Sequence, residues 1–114
     1  MPTRVETLQE ELKTVVEKLV QDYGAQCVIL FGSAATGKLS EESDIDLLVI
    51  KDTNLSFYDR LHEVAETVEW THAFEIIVYT PQEFESMKKT NTFVKREIWE
   101  KGQVLYGSKA WKMD

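Results

Sequence analysis

The stretch FGSAATGKLSEESDIDLLV, residues 31–49, decides how this chain is read. It leaves an apolar run at Gly32-Ser33, crosses a polar loop, and re-enters an apolar run that carries Asp44 and Asp46. Side chains two apart on a strand share a face. Asp44 and Asp46 therefore project together, while Ile45, Leu47 and Val49 point the other way. Two ionised carboxylates beside apolar surface cost several kcal/mol unless something positive compensates. A divalent cation is the natural compensator, and magnesium prefers hard oxygen ligands and keeps substrate phosphates in its shell. Upstream, Gly32 lets the backbone turn tightly and approach a ligand closely. The start of the short helical turn at Ser33 offers N–H groups and a positive dipole end to phosphate, and the Ser33 hydroxyl adds a donor.

Working outward, QCVILF (26–31) is a short apolar run of strand formers and reads as a buried strand. DIDLLVI (44–50) is the second strand and AFEIIVYT (73–80) the third. The third is apolar except for Glu75, which alternation places on one face with Ile77 and Tyr79. If strands two and three are neighbours, Glu75 lies beside Asp46; on an edge strand it would instead look at water.

The rest alternates with helices. Thr3 to Tyr23 reads as an amphipathic helix opened by a Thr3/Glu6 capping box. Its stripe is Val5, Leu8, Leu12, Val15, Val16, Leu19, Val20 and Tyr23, and Gly24 stops it. SAAT (33–36) is a turn of helix stopped by Gly37. A second helix opens at Asn54 or Ser56 and runs to about Glu69, burying Phe57, Leu61, Val64, Ala65 and Val68. Thr80-Pro81-Gln82-Glu83 starts a third, with Pro at the first helical position and another capping box, running to about Lys89. TFVKREIWEK (92–101) is a last helix closed by Gly102, with Phe93, Ile98 and Trp99 read mainly as core and, alternatively, as an exposed docking stripe. QVLYG (103–107) reads as an edge strand. This order predicts a small α/β (α+β) fold of three to four strands, with helices on one main face.

The 114 residues fit one domain, 1–114, and at 43% hydrophobic and 29% charged the composition is that of ordinary globular protein. No apolar run approaches the ~20 residues of a membrane helix, and the N-terminus is too polar for a secretion signal. Cys27 is the lone cysteine, so no internal disulfide forms and a reducing cytoplasm is expected. The net charge of −7 disfavours a general polyanion binder. The charge is uneven: residues 1–87 hold 6 basic and 17 acidic side chains, residues 88–114 hold 7 and 3. The basic end is read as a solvated tail or as a docking surface for an acidic partner or a nucleic acid. His62 falls on the polar side of its helix and His72 at the mouth of the third strand. With Cys27 they do not have zinc-finger spacing, and no Walker or Gly-x-Gly-x-x-Gly pattern occurs.

Gly32-Ser33 followed eleven and thirteen residues later by Asp44 and Asp46 in an apolar strand resembles the signature of the polymerase-beta-type nucleotidyltransferase superfamily. The short chain and the FEIIVYTPQEFE stretch resemble its minimal nucleotidyltransferase branch. The resemblance implies that fold, with a mixed sheet, and a nucleoside triphosphate, ATP above all, bound with two Mg2+ ions. Asp44 and Asp46 would hold the metals, joined by Glu75, which would also position or deprotonate an attacking hydroxyl. Gly32, Ser33 and Lys38 would hold the phosphates. It further implies AMP transfer to a hydroxyl of a partner macromolecule and a helical HEPN-type protein as partner, in a toxin–antitoxin pair. Nucleic acid would enter only as acceptor or through that partner, and no membrane is involved. Two residues depart from the pattern: Thr36 stands where many members carry Arg, and the third acid is Glu75 rather than Asp. Lys38 is near enough to replace the Arg, but as a point charge rather than a fork. The alternatives are a nucleotide- or metal-binding subunit with weak or no turnover, and a fragment of a glycosyltransferase that uses Asp-x-Asp to hold a sugar nucleotide.

Overall fold

The computed structural model describes residues 4–36, 45–69 and 74–107. Helix α1 spans Arg4–Lys18 and continues as a wider π-helical turn over Leu19–Tyr23. Leu8, Val15, Leu19 and Tyr23 are its buried line, four members of the anticipated stripe. Gly24 ends it at φ +83, a left-handed conformation open to glycine, and its N–H donates to the Leu19 carbonyl. The Thr3 half of the expected capping box lies outside the described residues.

Strand β1 is Cys27–Phe31 and is buried at all five positions. A single 3-10 turn, Ser33–Thr36, follows it. Strand β2 is Ile45–Ile50, helix α2 Phe57–Val68 and strand β3 Phe74–Tyr79. Ser56 caps α2 by accepting the Asp59 N–H at 3.1 Å. Helix α3, Pro81–Thr90, has the full capping box: Thr80 Oγ1 accepts the Glu83 N–H at 3.2 Å, and Glu83 Oε1 accepts the Thr80 N–H at 2.8 Å. The anticipated last helix is present as a π-helical segment, Val94–Glu100, and β4 is Gln103–Tyr106.

The sheet order is β3-β2-β1-β4. β1 is antiparallel to β2 and to β4, whereas β2 and β3 run parallel, joined by α2 as a crossover. The sheet is therefore mixed, and β3 and β4 are its edges. Helices cover both faces rather than one main face. Val28, Leu30, Ile45, Leu47, Val49, Ile76 and Val78 pack under α1 and α2. Cys27, Ile29, Phe31, Leu48 and Ile50 pack under Phe84 of α3 and Val94 and Ile98 of the last segment. The cause is β1 itself, whose unbroken apolar run needs cover above and below.

Two details of packing depart from the sequence expectation. Phe57 is 45% exposed and Arg60 only 6%, so the buried line of α2 is Arg60, Val64 and Val68. Phe93, expected in the core, is 55% exposed. Trp99 is half-buried, its ring 6.3 Å from that of Phe84 and beneath the Lys88 ammonium at 4.2 Å.

Burying Arg60 requires partners for its donors, and the structure supplies four. Nε donates to the Leu55 carbonyl at 2.9 Å and Nη1 to the Val78 carbonyl at 3.3 Å. The two Nη groups form a fork on Glu83, at 2.6 and 3.1 Å. The same Glu83 closes the α3 capping box, so one carboxylate fastens α2, the end of β3 and the start of α3. The Arg60 hydrogen bond holds the Glu83 carboxyl below the usual range; burial opposes this and the Thr80 N–H assists it. A depressed carboxyl contributes stability that is present above its unfolded pKa of about 4.3 and lost as pH falls through the folded value. Arg60→Met is expected to cost about 1–3 kcal/mol at pH 7. Urea titrations of both proteins should show that gap narrowing below about pH 4.

Candidate functional site

The site is built where β1 ends and where β2 and β3 begin. In the antiparallel pair Phe31 stands opposite Asp46, and in the parallel pair Asp46 stands opposite Glu75. Alternation puts all three side chains on the face that carries Leu48, Ile50 and Ile77, opposite Ile45 and Leu47. Phe31, Asp46 and Glu75 thus form a row across three strands spaced about 4.8 Å apart. The expected neighbourhood of Asp46 and Glu75 is present. Glu75 is also exposed on an edge strand. The two descriptions are compatible, because a donor that must meet a ligand from solvent has to be accessible.

Gly32 supplies the next contact. Its φ is +77, and a Cβ built on it would lie 2.5 Å from Asp46 Oδ2. The backbone leaving β1 therefore closes directly onto the Asp46 carboxylate, in space only a glycine leaves. Beyond it, Ser33 is exposed, while Ala34 and Ala35 are half-buried against the α1/α2 face and anchor the turn. The Ala35 N–H donates to the Gly32 carbonyl at 3.1 Å, and the Thr36 hydroxyl donates to the Ser33 carbonyl at 3.0 Å. Thr36, at the position where Arg was noted as usual, turns its one donor back into its own turn. The turn is four residues long, so its dipole is that of a few peptides and the close backbone approach carries more of the argument.

Asp44, Lys38 and His72 lie outside the described residues. Among the described residues no group of three or more His, Cys, Asp and Glu side chains forms a metal-ligand cluster. His62 is exposed and edge-on to the Tyr58 ring at 4.7 Å, a surface residue as read. Asp46 and Glu75 remain as the described hard-oxygen donors. That set suits magnesium, which is commonly held by one or two carboxylates together with substrate phosphates. Asp46 is partly exposed beside that turn.

A family model described as polymerase beta, nucleotidyltransferase matches residues 11–110. The chain belongs to the polymerase beta nucleotidyltransferase family. A Methanocaldococcus jannaschii protein named "Putative protein adenylyltransferase" is 31% identical over 100 residues, covering 86% of this chain and 97% of that one. Among solved structures, a Sulfolobus solfataricus protein described as a "putative nucleotidyltransferase" aligns with TM-score 0.57 at 16% identity, covering 96% of this chain and 92% of that one. A toxin–antitoxin chain crystallised with AMP-PNP aligns with TM-score 0.52 at 16% identity, covering 88% and 76%. These two share the fold. Family membership sets aside the glycosyltransferase reading.

Among the described residues no helix is long and apolar enough to cross a membrane. Lys88 pairs with Glu85 at 3.1 Å and Lys101 with Glu97 at 3.0 Å, so two of the basic residues past 87 are tied down locally. Gly32→Ala is expected to lower stability by about 1–2 kcal/mol from the left-handed backbone alone. Thermal unfolding should register this as a fall of roughly 5–10 °C in Tm.

Proposed function

We propose that this nucleotidyltransferase moves a nucleoside monophosphate, AMP from ATP, onto a hydroxyl of a partner protein. The observation that carries the proposal is the Asp46–Glu75 register with the Gly32 backbone closed onto Asp46. Similarity to a relative named as a protein adenylyltransferase supports adenylyl transfer to protein. The shared fold with a toxin–antitoxin chain supports a second protein as partner, and a helical HEPN-type toxin is the one we favour. We take residues 1–114 as one domain acting in the cytoplasm.

In this mechanism the Ser33 hydroxyl and the backbone N–H groups of Ser33 and Ala34, at the start of its turn, hold the terminal phosphates. Gly32 lets that backbone lie against Asp46, so phosphates and carboxylate share one small space. Asp44, Asp46 and Glu75 would hold Mg2+, which when bound would neutralise phosphate charge and steady the entering and leaving oxygens. Glu75, accessible from solvent, orients the acceptor hydroxyl and takes its proton. The hydroxyl oxygen bonds to the α-phosphorus, the bond from the α-phosphorus to the bridging oxygen breaks, and pyrophosphate leaves with that electron pair. Positioning and charge neutralisation do most of the work in such transfers.

A second reading is favoured by Thr36. Its hydroxyl donates to the Ser33 carbonyl, and a neutral side chain so engaged does not replace a bidentate guanidinium on phosphate. In that reading the chain binds nucleotide and metal as a subunit with little turnover. The two readings separate on labelled ATP, Mg2+ and the product of the neighbouring gene. Transfer of label, cut at least about a hundredfold in Asp46→Asn and reduced in Glu75→Gln, supports the enzyme. A magnesium-dependent rise in Tm with ATP but no transfer supports the binding subunit. Neither transfer nor a nucleotide-dependent Tm rise would sink both.

A further inference from the structure

Phe93 is out of place as a structural residue. Phe74 and Phe84 are buried, and Val94 and Ile98, which follow Phe93, are 2% and 1% exposed, yet Phe93 itself is 55% exposed. Its ring is edge-on to that of Phe31, with centroids 6.1 Å apart and planes at 85°. Phe31 is 6% exposed and is the residue directly opposite Asp46. Residues opposite one another in an antiparallel pair have Cβ atoms about 5 Å apart. Phe93 therefore rests on the first member of the Phe31–Asp46–Glu75 row.

Among the described residues, the other exposed large apolar side chains lie elsewhere. Leu55, Phe57 and Tyr58 surround the start of α2, where Phe57 meets Tyr79 at the far end of β3. Tyr106 pairs with Val28, three residues back from Phe31 along β1.

The backbone beneath Phe93 is fixed. The Asn91 N–H donates to the Met87 carbonyl at 2.8 Å, the Asn91 side-chain oxygen accepts the Val94 N–H at 3.1 Å, and the Lys95 N–H donates to the Asn91 carbonyl at 3.0 Å. An accessible aromatic ring, braced by a buried ring and a pinned backbone, is pre-organised to take a flat apolar ligand at small entropic cost.

We propose that Phe93 is the platform on which the nucleotide's base stacks, and that it makes the site favour purine over pyrimidine triphosphates. This rests on the nucleotidyltransferase reading of the Gly32, Asp46 and Glu75 site. The Gly32-Ser33 turn follows Phe31 directly at the end of β1, so phosphates held there leave the base beside the Phe31–Phe93 pair. A purine offers a larger π surface to a single ring than a pyrimidine does. Stacking of one base on one aromatic side chain is commonly worth about tenfold to a hundredfold in affinity.

The test is calorimetric titration of the full chain with Mg2+ and three probes: a non-hydrolysable ATP analogue, the corresponding CTP analogue, and inorganic tripolyphosphate. In the wild type the ATP analogue should bind more tightly than the CTP analogue. Phe93→Ala should weaken the ATP analogue about tenfold or more, shrink the purine preference, and leave tripolyphosphate unchanged. Phe93→Trp should keep or tighten ATP binding, which also guards against an alanine variant that folds poorly. Unchanged ATP affinity in Phe93→Ala overturns the proposal. An equal loss of tripolyphosphate and ATP in Phe93→Ala, with Phe93→Trp failing to rescue, also overturns it by making the role structural. If the wild type binds neither analogue nor tripolyphosphate, the site reading fails along with it.

Discussion

β2 is hydrogen-bonded on both sides, antiparallel to β1 and parallel to β3, and that double pairing fixes everything near the site. A strand slipped by one residue turns each side chain to the opposite face. In β2 such a slip would drive Asp46 under α1 and α2 and lift Leu47 and Val49 out of their packing. The apolar burial of Ile45, Leu47, Leu48, Val49 and Ile50, each fully buried, is what holds the register. The carboxylate is thus positioned by the five hydrophobic residues that follow or precede it, not by its own contacts alone.

The same constraint explains the mixed topology. A short turn would suffice for an antiparallel neighbour, but a parallel one needs a crossover, and α2 provides it. Once α2 lies on one face, the second face of β1 and β2 still carries Cys27, Ile29, Leu48 and Ile50. α3 and the 94–100 segment close it. Arg60 and Glu83 then join the two layers around the end of β3. The lock sits at the far end of β3 from Glu75, so rigidity and accessibility occupy opposite ends of one strand.

Much of this was legible in the sequence because period-two alternation is a strong signal. It put Asp46 and Glu75 on defined faces, and the apolar strands, the caps at Ser56 and Thr80 and the stop at Gly24 fell close to where the structure has them. What depended on sheet order was conditional, since alternation of strands and helices does not say which strands are neighbours. Arg60 escaped because an arginine in an amphipathic helix reads as solvent-facing; its spacing of four from Val64, and of eight from Val68, was the available clue. Phe93 escaped for the opposite reason. An apolar ring beside Val94 reads as core, and hydrophobicity alone does not separate a ring that packs from a ring that waits for a ligand. The helices on the second face escaped as well: the apolar run of β1 was read as a buried strand, but one main helical face was expected, and two clusters of core residues cover the sheet above and below.

The parallel pairing of β2 with β3 has a bearing on partly unfolded forms. Phe31 meets Asp46 fifteen residues away through the antiparallel pair, whereas Asp46 meets Glu75 twenty-nine residues away, across α2. β3 is an edge, bonded to a single neighbour. A form in which β3 and α2 have detached keeps Gly32 against Asp46 but has lost Glu75. The turn and Asp46 therefore belong to the inner hairpin, and Glu75 to a peripheral unit whose opening free energy is its own. Anything that grips the edge of β3 or the back of α2 would set how much of the time the donor set is whole, without touching a phosphate.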